Sequence, residues 1–251
     1  MIISVINYTT GSLTDQVIQA AIRAVNRQVA EDFFSYWGFG AQLRLEGKSN
    51  RRRGNANTTS DMRGDAILYL CDEVKSSTTA GFHDRAFRGI PYGVVYLELS
   101  DLLKEDWTVT LSHEALELIA DPEANLLVQG PHPRFPKRKV FHWFEMCDAV
   151  QDERYTIDGI AVSNFVLPLY FTSSTEHGGR NDFLGTQSHG KTLRSFHVNP
   201  GGYIGFFDPR TGKDENFDGA ADARAAARLR IKKRLKTGRG NLRKGRTRGL
   251  E

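Results

Sequence analysis

A histidine and two glutamates near the middle of the chain have the types and the spacing of a metal site. His113 and Glu117 are four residues apart in the segment LSHEALELIADP, residues 111–122. Side chains four apart on a helix lie one above the other, so this imidazole and this carboxylate can close on a single ion. Glu114, on the adjacent edge of the helix, can reach a water bound to that ion and act as a general base. The pattern therefore predicts a metal site whose ligands and base are placed by one helix.

The other polar side chains of this segment fall on the same side of the predicted helix. At about 100° per residue, Thr110 and Asp121 lie in the arc from His113 to Glu114, and Ser112 is the exception. Apolar residues fill the remaining arc of roughly 200°, which is wider than the stripe of a typical surface helix. We therefore expect the helix to be covered on most of its circumference. The alternative is a helix with a solvated acidic face, although its carboxylates repel one another without a cation among them.

A tetrahedral site needs a third protein ligand, and the segment HWFEMCDAV, residues 142–150, offers one. Glu145 and Asp148 lie three apart among apolar residues, where a carboxylate needs a partner. We predict Glu145 as the third ligand and Asp148 as the acceptor of a hydrogen bond from the ring N–H of His113. Asp121 is a further candidate for such a supporting position. The alternative for Glu145 is an ion pair with a nearby cation, which is Arg134, Lys137, Arg138 or Lys139.

The ligand types set the choice of ion. Two carboxylates and one neutral imidazole cancel the charge of a divalent cation, so the bound water is harder to deprotonate than in a site with two histidines. The imidazole keeps zinc suitable, and the oxygen ligands also suit manganese, iron or calcium. If His83 approached the site in place of Glu145, then His83, His113 and Glu117 would form a set of two histidines and one carboxylate that suits non-haem iron.

The order of these features resembles the gluzincin branch of the zincin metallopeptidases over residues 90–150. A strand, a glutamate-bearing helix and a downstream glutamate followed by an aspartate carry the likeness. The chain departs from it at Glu117, where that family has a second histidine. The resemblance implies a zincin-like α+β fold with a mixed β-sheet, a long N-terminal helix and an active-site helix that follows an edge strand. It also implies one divalent metal ion, of which zinc is the favoured one. The implied ligands are His113, Glu117 and Glu145, and the implied base is Glu114.

Most of residues 1–207 also resembles a group of bacterial and phage proteins that have no assigned activity. The motifs that carry this likeness read here QVAEDFFSYWG, GFHD, SHEALELIADP, EMCDAV, GIAVSNFVLPLYF and PGGY. We therefore predict a zincin-like metal-binding domain at residues 1–207. A basic tail, helical and then disordered, is predicted for residues 208–251.

Hydrophobic patterning predicts the elements around the metal-site helix. A first strand, IISVINY, precedes a long helix with an N-cap at Thr14 and an end at Gly38. Three further strands are predicted at AQLRLEG, DAILYLCD and GVVYLEL, the last of which runs almost directly into the metal-site helix. The segments KSNRRRGNANTTSDMRG and GFHDRAFRGIPY are predicted as loop and turns. Residues 159–171 are predicted as a strand that ends near Pro168.

Charge is distributed unevenly along the chain. Residues 224–251 contain twelve Lys or Arg and one acidic residue, which leaves 22 basic and 29 acidic residues at positions 1–223. Such a tail could bind nucleic acid or another acidic partner by counterion release. The alternatives are a solvated extension and a tail that docks on its own acidic body. Neither a signal peptide nor a membrane span is indicated, which predicts a cytoplasmic protein, or a virion protein if a phage encodes it.

Two functions fit these features. The first is a metal-dependent hydrolase that acts on a peptide or protein substrate, with zinc as the favoured ion. Glu114 takes a proton from the metal-bound water and delivers it to the leaving amine. The second is a zincin-like structural or binding protein with weak or no catalysis, such as a phage virion component whose basic tail contacts nucleic acid. Both remain open at this point, because likeness of fold does not establish activity.

Overall fold

The computed structural model describes residues 1–46, 64–72, 81–85, 89–172, 179–185 and 190–219. The predicted basic loop except Gly64, and residues 220–251 of the predicted tail, lie outside the described residues. The chain divides into two compact units. The first unit comprises Met1–Ser76, Ala80–Ala124 and Arg154–Ser163, and the second comprises Ser77–Thr79, Asn125–Glu153 and Asn164–Glu251.

Helices and strands are mixed along the described residues, which gives an α+β chain. The strands are β1 Ile2–Asn7, β2 Gln42–Glu46, β3 Ala66–Cys71, β4 Gly81–Arg85, β5 Pro91–Tyr96, β6 Leu127–Pro131, β7 Lys139–Trp143, β8 Arg154–Ile157, β9 Ile160–Ser163, β10 Tyr203–Asp208 and β11 Lys213–Asp218. The α-helices are α1 Asp15–Arg27, α2 Phe34–Trp37, α3 Leu97–Leu102 and α4 Trp107–Ala120. A π-helical segment, Gln28–Phe33, joins α1 to α2.

The first unit contains a mixed five-stranded sheet in the order β2-β1-β3-β5-β4. Strands β1, β2, β3 and β5 are parallel, and β4 runs antiparallel to β5 at the edge. Parallel strands are buried on both faces, which requires continuous apolar runs. Five of the six residues of β1 are buried, so the alternation that its sequence suggested is not what the fold uses. The expected mixed sheet is confirmed.

The expected long N-terminal helix is also confirmed, with one irregularity. The Thr14 side chain accepts a hydrogen bond from the backbone N–H of Val17 and caps the helix as predicted. Gly38 ends it in the left-handed region at φ 71°, where glycine pays no steric penalty. Between these ends the helix widens into the π-helical turn at Gln28–Phe33, a form that interrupts the regular i to i+4 hydrogen bonding.

The strand that precedes the metal-site helix is not an edge strand, which corrects the expectation from the sequence. Strand β5 lies between β3 and β4, and α3 lies between β5 and α4 in the chain. The edge is β4, formed by the segment GFHDR that was predicted as turns. It is a strand because its backbone pairs with β5, with His83 opposite Gly93, and so satisfies the outer hydrogen-bonding groups of β5.

The predicted strand at residues 159–171 is shorter than expected. Strand β9 ends at Ser163, and a 3-10 turn occupies Pro168–Phe171. Pro168 has no backbone N–H to donate, which suits the first position of such a turn and not the interior of a strand.

The second unit contains a four-stranded antiparallel sheet in the order β11-β10-β7-β6. The predicted domain boundary after residue 207 falls inside the β10–β11 hairpin, which pairs Tyr203–Asp208 with Lys213–Asp218. Ordered structure therefore continues beyond that boundary, because all six residues of β10 pair with β11. No helix of the described residues is long and apolar enough to cross a membrane.

A buried hydrogen-bond network ties α4 to the π-helical segment within the first unit. The amide oxygen of Gln28 accepts from the hydroxyl of Ser112 at 2.6 Å, and that hydroxyl in turn accepts from the backbone N–H of Ser163 at 3.1 Å. The amide nitrogen of Gln28 donates to the carbonyl of Ser163 at 2.8 Å and to the hydroxyl of Tyr155 at 3.1 Å. The hydroxyl of Tyr155 donates to Asp32 at 2.7 Å. Because the network holds α4 at Ser112, it restrains both the sliding and the rotation of the helix next to His113.

Replacing Gln28 by alanine should destabilise the protein, because polar groups of Ser112 and Ser163 would be left buried without this partner. We expect Gln28→Ala to lower the free energy of unfolding by about 1–3 kcal/mol. Urea denaturation followed by circular dichroism measures it. Gln42→Ala is the matched control, since Gln42 is exposed on β2, and a change within about 0.5 kcal/mol is expected there. Equal effects of the two substitutions would contradict a structural role for the network.

Candidate metal centre

The helix that carries the predicted site is buried on every side. Each residue from Thr108 to Ala120 is buried, including Glu114 at 1% and Glu117 at 0% exposure. The alternative of a solvated acidic face is therefore wrong. Helix α4 packs against β4, β5 and β9 of its own unit, which explains why the apolar arc predicted from the sequence is so wide.

The spacing predicted for the first two ligands is confirmed. His113 Nε2 lies 3.1 Å from Glu117 Oε1, one helical turn away on the same face of α4. Both residues are buried. A histidine and a carboxylate at positions i and i+4 are thus held in contact by the helix geometry alone.

A second imidazole reaches the same carboxylate from the edge strand β4. His83 Nδ1 lies 3.5 Å from Glu117 Oε2 and 3.6 Å from Glu114 Oε2. His83 is buried, and it lies on the strand that packs against α4. The sequence ranked His83 as an alternative ligand, and the fold brings it to both glutamates of the helix. Glu117 consequently has one imidazole at each of its two oxygens.

A glycine allows β4 to lie directly against Glu114. A Cβ atom at Gly81 would lie 2.7 Å from both Cγ and Oε1 of Glu114 and 2.7 Å from Cγ2 of Thr110. Contacts shorter than 3.0 Å are not tolerated without movement, and Thr110 is stiff because it is β-branched. Gly81 is therefore required for the close approach that brings His83 to the glutamates.

The donor atoms of this cluster have the spacing of metal ligands. His83, Glu114 and Glu117 each offer one donor atom, and these atoms all lie within 4.8 Å of one another. Zinc bound tetrahedrally by nitrogen and oxygen at about 2.0–2.2 Å has ligand atoms about 3.4 Å apart. The separations of 3.5 and 3.6 Å from His83 Nδ1 to the two carboxylates lie close to that value, as does the 3.1 Å between His113 Nε2 and Glu117 Oε1. The residues of the first unit can therefore hold a metal ion.

Two predicted site residues belong to the second unit. Glu145 and Asp148 are both buried, as their apolar surroundings in the sequence suggested. Asp148 begins the 3-10 turn Asp148–Val150. Arg138, one of the cations considered as a partner for Glu145, forms an ion pair with Asp208. The roles of Glu145 as third ligand and of Asp148 as hydrogen-bond acceptor remain predictions.

Asp121 lies at the end of α4, one turn beyond Glu117. Its backbone N–H donates to the Glu117 carbonyl at 2.8 Å, and its side chain is buried. This position is the helix C-cap, so the residue helps to end α4 directly after the cluster. Its predicted supporting role at the metal remains a prediction.

Further histidines of the sequence are weaker ligand candidates, and two of them within the described residues contact backbone carbonyls. His142 is buried, its Nε2 lies 2.9 Å from the carbonyl of Pro131, and burial lowers its pKa to about 4. His197 Nδ1 lies 2.8 Å from the carbonyl of Ser195. One ring nitrogen of each therefore has a backbone carbonyl as its partner. His177 and His189 lie outside the described residues.

Sequence reasoning missed three residues that position the cluster. Ser112 was visible as the single polar side chain outside the polar arc of the helix, and a polar group on an apolar face signals a buried partner. Its partner Gln28 lies in a run of helix-forming residues and carries no such signal. Gly81 precedes His83 by two residues, and only the packing of β4 on α4 gives it a role.

Comparison with known proteins adds no homologue to this description. No family model, no curated protein and no solved structure matches the chain. The chemistry of the cluster itself is therefore the basis of the functional proposal, and the resemblance to zincins remains a prediction.

Adding one methyl group at Gly81 should disturb the cluster by displacing Glu114 or β4. We expect Gly81→Ala to lower the free energy of unfolding by about 1–3 kcal/mol, the usual cost of overpacking, and to weaken zinc binding. Urea denaturation measures the change in the free energy of unfolding. Calorimetric titration with zinc measures the change in zinc affinity. Gly40→Ala is the control, because its added carbon would have one close contact, 3.0 Å to Val29 Cγ1, whereas the added carbon at Gly81 would have three contacts of 2.7 Å. Zinc binding as tight as in the wild type would contradict the close packing of β4 on Glu114.

Proposed function

We propose that the chain is a metal-dependent hydrolase of peptide bonds, with a zincin-like fold and zinc as its ion. His113 and Glu117 are the helix ligands, Glu114 is the general base, and the substrate is a peptide or a protein. The observation that carries the proposal is the carboxylate of Glu117, which is fully buried with an imidazole at each oxygen and Glu114 beside it.

The need for a cation follows from the burial of charge. Glu114 and Glu117 are at most 1% exposed and lie close to the same imidazole. Moving ionised carboxylates out of water costs several kcal/mol for each ion unless charge and hydrogen bonds compensate. A divalent cation compensates two carboxylates at once, and neutral imidazoles complete its coordination.

The position of Glu114 suits proton transfer. When bound, zinc polarises the scissile carbonyl and lowers the pKa of a water molecule. Glu114 takes a proton from that water as the water oxygen attaches to the carbonyl carbon. It then delivers the proton to the amine nitrogen as the C–N bond breaks. Because Glu117 stands where zincins have histidine, the extra negative charge makes the water less acidic, and we expect slow hydrolysis.

The third ligand has two candidates. The sequence favours Glu145, a buried carboxylate of the second unit, which is the residue at the downstream-ligand position of the zincin likeness. His83 is the other, since it lies 3.5 Å from Glu117 Oε2 and would give the set of two histidines and one carboxylate. We propose Glu145 and treat the loss of metal in Glu145→Gln as its test.

A second candidate function is a structural metal site in a zincin-like binding protein, such as a virion component. The observation that favours it is the burial of the cluster, in which no residue among His83, His113, Glu114 and Glu117 is more than 8% exposed. Catalytic zinc keeps one position open to water, whereas structural zinc is enclosed by protein ligands. In this function residues 224–251, with eleven net positive charges, contact nucleic acid or another acidic partner.

Metal content tests the site itself. Purified wild type should retain zinc after dialysis. Glu117→Gln should lose it, because the substitution removes the negative charge of the carboxylate that lies beside both imidazoles. Glu114→Gln should retain at least one equivalent. Inductively coupled plasma mass spectrometry gives the stoichiometry. Glu46→Gln is the matched control, since Glu46 is a buried carboxylate on β2 that pairs with Arg44. A well-folded wild type that binds no transition metal would sink the proposal.

Hydrolysis tests the base. In zinc-loaded protein, Glu114→Gln should lower kcat on a peptide library by about 10²–10⁴, the usual contribution of a general base, with a smaller change in KM. Mass spectrometry of the cleaved peptides measures the rate, and Glu46→Gln again serves as control. Undiminished hydrolysis by Glu114→Gln would remove the base role. A wild type that binds zinc and unfolds at a lower temperature without it, yet cleaves no peptide, would favour the structural site.

A further inference from the structure

We infer that the cluster contains a second cation position, formed by His83, Glu114 and Glu117, and that a divalent ion bound there inhibits the proposed hydrolase. The inference rests on the proposed function, because inhibition follows from the role of Glu114 as base. Neither the motif nor its likeness to zincins predicts this position, since His83 lies on a separate strand.

The two oxygens of Glu117 separate the two positions. Oε1 lies 3.1 Å from His113 Nε2, and Oε2 lies 3.5 Å from His83 Nδ1. The two imidazoles thus approach the same carboxylate at different atoms. A carboxylate has about four lone-pair sites on two oxygens, so it can serve one cation with each oxygen. Glu117 is therefore arranged as a bridge between an ion at His113 and an ion at His83.

The second position is complete in protein donors within the first unit. His83 Nδ1 is 3.5 Å from Glu117 Oε2 and 3.6 Å from Glu114 Oε2, and the three donor atoms lie within 4.8 Å of one another. These separations match the roughly 3.4 Å expected between ligands of one tetrahedral zinc ion. The three side chains are at most 2% exposed. One nitrogen and two oxygen donors suit zinc, manganese or ferrous iron.

The fold preorganises this position through β4. Gly81 allows the strand to approach α4 at Glu114, and Gly93 lies opposite His83 in the sheet. A Cβ at Gly81 would lie 2.7 Å from Glu114, so this glycine supports the placement of His83 beside the helix.

Occupation of the second position removes the base. A carboxylate oxygen that coordinates a cation no longer accepts a proton readily, so an ion held by Glu114 Oε2 opposes general-base catalysis. Two divalent cations that share one carboxylate repel each other, so one ion should be held more weakly than the other. Activity should rise as the position at His113 fills and fall as the position at His83 fills.

Calorimetric titration of metal-free full-length protein with zinc tests the two positions without any substrate. Wild type should bind two equivalents, the second roughly tenfold or more weakly than the first. His83→Phe, which keeps a ring of similar size, should lose one equivalent and keep the other, and His83→Ala should do the same. His113→Ala should lose the equivalent that the His83 variants keep, and Glu117→Gln should lose both. His197→Ala is the control and should bind as wild type does, with circular dichroism confirming that each variant is folded.

The outcomes separate this inference from the proposed function. One equivalent in the wild type that is absent in both His83 variants makes His83 a ligand of a single ion and overturns the second position, while hydrolysis can stand. One equivalent that persists in both variants overturns it as well. No zinc in the wild type overturns both proposals. Two equivalents without hydrolysis support the second position and overturn the hydrolase, and hydrolysis that excess zinc does not inhibit overturns the inhibitory role.

Discussion

The burial of the Glu117 carboxylate between two imidazoles is the constraint on which the rest of the first unit depends. A charge at 0% exposure has to be compensated where it stands, and here the compensation comes from one helix and one strand. His113 is supplied by the helix itself, four residues earlier. His83 comes from β4, which has to pack on α4 closely enough for the contact to form.

That packing has specific supports within the first unit. Gly81 keeps the strand backbone against Glu114, and the Gln28–Ser112 hydrogen bond holds α4 at the residue before His113. The π-helical turn at Gln28–Phe33 begins at Gln28, the residue that makes this bond. Such a turn interrupts the regular hydrogen bonding of a helix, and a local interaction has to offset that cost. The residues that hold the cluster are therefore spread over segments far apart in sequence, while the donors that face Glu117 come from two neighbouring elements.

The arrangement relates catalysis and inhibition through one residue. Glu114 lies near the helix ligands, as the proposed base requires, and it also lies beside His83, as a ligand of the proposed second position requires. A free carboxylate can accept a proton, and a coordinated one cannot do so readily. The glutamate at position 117 makes the second position possible, because a carboxylate offers two oxygens where an imidazole on a helix offers one nitrogen.

The sequence by itself determined the helix of the site, its apolar surroundings and the His113–Glu117 contact, because helical periodicity and i to i+4 spacing are local properties. It also indicated the α+β class, the N-cap at Thr14 and the helix end at Gly38. Only the tertiary structure decided that β4 is a strand, that His83 reaches the glutamates and that Gln28 binds Ser112. These depend on strand pairing and on contacts between residues 31 to 84 positions apart, for which no local pattern exists.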